Sequence, residues 1–126
     1  MSRLITTHQV NGLNKALTIE VLDKPGQGNA CHHYMVSWLK DSKPYSYTFK
    51  TSIEFQNGLI NEVGVNGLSN TALLAIVRDR LEGFQSGIYA CSENQEALDS
   101  IVSAMESLAS RTRKRVSLGI ERTSQV

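Results

Sequence analysis

The 126-residue chain contains no apolar run near the roughly 18 residues a membrane helix requires, so it offers no spanning segment and no membrane partner is expected. Its first residues, MSRLITTHQV, lack the apolar core of a secretory signal, and two cysteines, Cys31 and Cys91, are too few for a disulfide scaffold. These absences predict a reduced, cytoplasmic protein. Neither charge sign dominates: 13 Lys and Arg stand against 12 Asp and Glu, a formal net charge of +1. Internal repeats and low-complexity tracts are missing too. With 40% hydrophobic and 20% charged residues the composition is that of a globular chain, and the length predicts one compact unit rather than a multidomain enzyme.

Catalytic signatures are equally scarce. No glycine-rich phosphate loop followed by Lys and Ser/Thr is present, nor a spaced Cys-x-x-Cys or His-Glu-x-x-His. Cys31-His32-His33, with His8 as a possible fourth ligand, is the one metal-like cluster. Neighbours on a strand point to opposite faces, so Cys31 and His33 share an ion only if His32 is left out. Histidines at a strand start are the simpler reading, and no metal is expected. Cys91 precedes a helix, but all three histidines lie in the other half of the chain, and no local nucleophile signature accompanies it. No enzyme activity and no cofactor is predicted.

What is present divides by period. Leu17, Ile19 and Val21, then Tyr34, Val36 and Trp38, then the run from Tyr45 to Phe55 alternate every second residue, the pattern of antiparallel strands with one covered face. Asn11-Gly12, Pro25-Gly26-Gln27-Gly28, Asp41-Ser42-Lys43-Pro44 and Asn57-Gly58 punctuate the runs as turns. After Asn66-Gly67 the period becomes helical. Leu73, Leu74, Val77, Leu81 and Phe84 follow a cap at Ser69 or Asn70. Gly87 breaks that helix, and Ser92-Glu93-Asn94-Gln95 reads as a capping box ahead of Leu98, Ile101, Val102, Met105 and Leu108. The predicted fold is α+β, an antiparallel β-meander over residues 1–66 followed by an antiparallel helical hairpin over 67–126.

Charge separates inside the second half. Residues 78–106 hold two arginines against six acids, whereas residues 111–122 hold Arg111, Arg113, Lys114, Arg115 and Arg122 against Glu121 alone. Cations at a helix C-terminus are electrostatically favoured and solvated, which is the ordinary reading of such a cluster. Arg111 and Arg115 are also spaced i and i+4, which puts two guanidinium forks on one helix face, about 5 to 6 Å apart, a spacing that suits neighbouring phosphates. Phe84, the last member of its stripe, reads either as core or as a ring beside the interhelical loop that stacks on a base.

Several spaced motifs resemble a known family. Phe55-Gln56-Asn57-Gly58, Glu62-Val63-Gly64-Val65-Asn66-Gly67, Asp79-Arg80-Leu81, Phe84-Gln85-Ser86-Gly87, Ala90-Cys91, Glu93-Asn94, Arg111-Thr112 with Arg115, and Gly119-Ile120-Glu121 with Thr123 are similar in order and spacing to the phage Thoeris anti-defence sponges of the first type. The helical part also resembles the phage anti-CBASS cyclic-nucleotide sponges, and Asn29-Ala30-Cys31-His32-His33-Tyr34 the Thoeris group in particular. The resemblance implies a non-enzymatic binder, in the infected bacterial cell, that withholds glycocyclic ADP-ribose from its effector, and that also takes cyclic di- or trinucleotides at separate sites. It implies that Phe84 stacks on the adenine, Asn94 hydrogen-bonds the ligand, and Arg111 and Arg115 grip its phosphates. Gln85, Thr112, Arg113 and Thr123 join them as ligand-binding positions. Two departures stand out: Gly87-Ile88-Tyr89 where the family has Gly-Pro-Phe, and Arg122 where the family's Gly-Val-Glu-Gly-Thr has glycine.

Helix arithmetic gives these roles a consequence. Arg111 follows Asn94 by 17 residues, about 25 Å along a helix at 1.5 Å per residue. A compact cyclic dinucleotide cannot span that distance, so one ligand reaches all four residues only if a second copy packs antiparallel. A twofold interface then makes two equal pockets, which implies a homodimer at least, in keeping with the family's dimers and hexamers. The alternative function is a small nucleic-acid-binding module using the basic helix end. The near-neutral balance and the acids between Glu93 and Glu106 weigh against a long basic stripe, and DNA is not an expected partner.

Overall fold

The computed structural model describes residues 2–42 and 44–117, and these fall into two compact units that divide between Gly67 and Leu68. In the first, β1 (Arg3–Ile5), β2 (Thr18–Val21), β3 (His33–Ser42) and β4 (Tyr45–Glu54) form one sheet in the order β1-β2-β3-β4, every pair antiparallel. This is the meander that the alternating runs predict. β2 pairs only with Tyr34–Ser37 of β3, so the distal half of the β3–β4 ladder extends as a two-stranded arm. On that arm Trp38 lies directly opposite Phe49, their rings stacked at 5.8 Å and 14°, with Lys40 Nζ 6.0 Å from the Phe49 centroid.

One local expectation is corrected. Asn11-Gly12 is not a strand-to-strand turn but the start of a short helix, α1 (Gly12–Ala16). Asn11 is its cap, with Oδ1 accepting the Asn14 N–H at 2.9 Å; Asn serves turns and caps by the same side-chain-to-backbone bond, so the dipeptide alone does not distinguish them. A second short helix, α2 (Ile60–Val63), follows Asn57-Gly58 and ends at Gly64, whose φ of 73° suits glycine.

Buried groups in this unit are few and half of them polar: Val21 and Cys31 among the apolar residues, His32 and Gln56 among the polar ones. Each polar one is tied to a loop. Gln56 donates from Nε2 to the Gly58 and Gly64 carbonyls at 3.3 and 2.9 Å and accepts the Asn66 N–H at 2.9 Å, so a single carboxamide closes the loop from residue 57 to 66. Asn66 adds two bonds to the Asn57 backbone. The loop then passes so close to β4 that a Cβ on Gly67 would lie 2.4 Å from the Phe55 carbonyl carbon, which leaves room only for glycine. The motif from Phe55 to Gly67 is thus accounted for by backbone closure.

The second unit is α3 (Asn70–Gln85) and α4 (Ser92–Ser117), which pack against each other. Ser69 caps α3 as expected, its Oγ accepting the Ala72 N–H at 3.0 Å. The cap of α4 is corrected from Ser92 to Cys91. The Cys91 carbonyl accepts the Gln95 N–H and its Sγ accepts the Asn94 N–H, while Ser92 Oγ turns to Glu93. Gln85 takes over the other half of the capping box: its Oε1 accepts the Cys91 N–H at 3.0 Å and its Nε2 donates to the Cys91 carbonyl and to Gln95. No residue of α3 is fully buried. Leu73, Leu74 and Leu81 are half-buried with Leu98, Ile101, Met105 and Leu108 of α4, whereas Val77, Phe84 and Val102 are exposed. Among the described residues no helix is long and apolar enough to cross a membrane.

Candidate functional site

The connection between α3 and α4, residues 86–91, builds a tip at which three of the chain's recognition-type side chains converge. Phe84 comes from the last turn of α3, Tyr89 from the connection and Asn94 from the first turn of α4, and together they line an open hollow of about 390 Å³. Tyr89 meets Phe84 edge-on, ring centroids 6.1 Å apart at 87°, which leaves ring faces available for stacking. Phe84 is 38% exposed and Tyr89 69% exposed, and the neighbouring Ile88 stands 93% exposed. These apolar groups are not shielded by their own unit.

Asn94 is held in one orientation by its own chain. Its Nδ2 donates to the Tyr89 carbonyl at 3.2 Å, and because a carbonyl only accepts, the carboxamide cannot be reversed. Its Oδ1 makes no bond among the described residues. The side chain therefore offers an acceptor, with one remaining N–H, to whatever occupies the hollow, the pairing that suits an amino-purine edge. Arg80 approaches Phe84 from the preceding helical turn, its Cζ 5.4 Å from the ring centroid.

Arg111 and Arg115 lie on one face of α4, 17 and 21 residues beyond Asn94, so about 25 to 32 Å separates them from the tip along a single helix. Both are half-buried, and both already have interactions within the chain. The other positions that the resemblance implies have local roles. Gln85 has both ends of its carboxamide engaged with Cys91 and Gln95. Thr112 donates its hydroxyl to the Leu108 carbonyl at 3.2 Å, and Arg113 pairs with Glu106 at 2.8 Å in the open. Thr123, like Arg122, lies outside the described residues. Tyr89, which lines the hollow, and Arg80, which packs on Phe84, are absent from the ligand-binding positions expected from the sequence. The i,i+4 spacing of Arg80 and Phe84 carried the signal for the second.

The histidine cluster resolves into separate structural jobs. His8 Nε2 donates to the Leu17 carbonyl at 2.7 Å, and His33 Nε2 lies 2.9 Å from Ser52 Oγ. Cys31 is buried beside the Asp23 carbonyl and Arg3. No group of three or more His, Cys, Asp or Glu among the described residues has metal-binding geometry. Asp23 receives the backbone N–H groups of His32 and His33 at 2.8 and 3.1 Å. Burial pushes its carboxyl up, but those two bonds and the nearby His32 outweigh it and hold the group below its ordinary value.

No family model matches the chain. Among curated proteins it is similar to Thoeris anti-defense 1 from Bacillus phage SBSphiJ7, with 36% identity over 74 residues, which cover 59% of this chain and 52% of that one. The chain thus spans about half the length of the curated relative it matches. The family that the spaced motifs point to and the relative found by direct comparison agree, and the chain is a protein similar to Thoeris anti-defense 1.

Proposed function

We propose that this chain is a phage anti-defence protein that binds glycocyclic ADP-ribose and holds it, uncleaved, away from the Thoeris effector. The observation that carries this reading is the tip hollow, where an exposed aromatic face and a carboxamide locked with its acceptor free stand together. A base stacks on Phe84 while Asn94 accepts from its amino group. The phosphates require cations, and the i,i+4 pair Arg111 and Arg115 has the fitting spacing. That pair sits too far along α4 to serve the tip of its own chain, so the reading includes a second copy packed antiparallel. The half-exposed apolar stripes of α3 and α4 supply the surface for such packing. Cyclic di- or trinucleotides, which the anti-CBASS resemblance implies, would occupy separate sites.

A sequestering protein needs affinity rather than chemistry. Competing with a receptor at nanomolar signal takes roughly −12 kcal/mol. The test is incubation with glycocyclic ADP-ribose, removal of free ligand, heat denaturation and mass analysis of what is released. Intact ligand in stoichiometric yield is expected. A cleaved product would make the protein a hydrolase, and no capture together with steeply salt-dependent binding of an oligonucleotide would favour the nucleic-acid module.

A further inference from the structure

We infer that Arg80 is a positioning residue for the tip site, acting through Phe84; the inference rests on the ligand-binding role proposed for that ring. Arg80 and Phe84 are i and i+4 on α3, and the guanidinium Cζ lies 5.4 Å from the ring centroid. Phe84, Tyr89 and Asn94 line the hollow and Arg80 does not, and the inference places the cation on the ring face turned away from it. Tyr89 stands perpendicular to the ring, centroids 6.1 Å apart. One face of Phe84 is therefore backed by a cation and the other left for a base.

The contrast with the neighbouring arginine shows that the ring sets the position of Arg80. Arg78 pairs with Glu82 at 3.5 Å, whereas Arg80 makes no hydrogen bond or ion pair among the described residues. Two effects follow. The ring is ordered before the ligand arrives, which lowers the ordering cost of binding. A cation on one face also draws π density toward itself, leaving the opposite face a better surface for an electron-rich purine, and the attraction strengthens as the stacked base displaces water.

The experiment is a set of affinities for glycocyclic ADP-ribose measured by calorimetry on the full chain. Arg80→Met keeps an unbranched side chain of good helix propensity and removes the charge, and is expected to raise Kd about threefold to tenfold. Arg80→Lys, which keeps a cation, should recover most of that loss. Melting temperature and subunit count should stay at the wild-type values in both. In a Phe84→Ala background Arg80→Met should cost nothing further, because its route is gone. The assignment is overturned if Arg80→Met binds as tightly as wild type, if Lys fails to rescue, or if the loss persists without Phe84, which would place Arg80 on the ligand itself. Failure of the wild-type protein to bind any adenine-bearing ligand would instead bring down the functional reading, and this inference with it.

Discussion

The two units solve the problem of a small core in different ways. The sheet unit holds all four buried residues named above, and its two buried polar side chains sit where the backbone must be pinned: Gln56 closes one loop, and His32 lies beside the Asp23 carboxylate that ties β2 to β3. The two-helix unit has a regular amphipathic pattern, yet buries no residue of α3 and leaves Ile76, Val77 and Phe84 open. Both units leave large apolar side chains exposed, Trp38, Leu39 and Phe49 on the sheet's two-stranded arm as well as Ile76, Val77 and Phe84 on the helices, but only the sheet unit pins its loops through buried polar side chains. The helix stripe is the surface that the proposed second copy would cover. Stability should thus be read out mainly from the first unit, and binding and assembly from the second.

That contrast can be broken at defined positions. The largest effect is expected at Gly67→Ala, where the new Cβ meets the Phe55 and Gln56 backbone at 2.4 to 2.6 Å. Forcing main chain apart should cost more than about 3 kcal/mol, read as a drop in the urea midpoint or loss of the folded protein. Gln56→Leu removes a buried carboxamide and strands two carbonyls and an N–H, and should cost about 2 to 3 kcal/mol in the same assay. Changes in the helices should behave in the opposite manner. Phe84→Ala is expected to weaken ligand binding by about 10- to 100-fold, the stacking contribution of one base, with little change in melting temperature. Arg111→Ala should lose binding by a similar factor while subunit assembly persists. If either helix change instead unfolds the protein, the division of labour is wrong.

The smallest expected effect is acid sensitivity. The Asp23 carboxyl is held below its ordinary value, so its stabilising contribution is complete above the usual carboxylate range and is lost as pH falls through the lowered folded value. Wild-type stability should therefore decline below about pH 4, and Asp23→Asn should flatten that decline while lowering stability at neutral pH. A steeper acid decline in the variant would contradict the role assigned to Asp23.

Much of this architecture was legible from periodicity. The switch from alternating residues to spacings of three and four placed the sheet before the helices, and Ser69 marked the first long helix correctly. What sequence could not supply was set by tertiary contact. Cys91 outcompetes Ser92 as a cap because Gln85 reaches across from α3 to hold the Cys91 backbone, a partner ten residues before Gln95 that no local rule anticipates. Asn11 carried a signal shared by turns and caps. The tip was half legible: Phe84 and Asn94 stood out, whereas Tyr89 needed the connection's conformation to join them. The Gln56-to-Gly67 motif pointed to a family, yet its residues turn out to serve loop closure.

Native mass spectrometry of the full chain after exposure to glycocyclic ADP-ribose tests the central claim most directly, because subunit count and ligand identity appear in one spectrum. The account predicts an even number of chains carrying one unaltered ligand per chain, with Arg111→Ala leaving the chain count and lowering the ligand occupancy. A single chain that retains the ligand through desolvation, or a multimer loaded only with cleavage products, would contradict it.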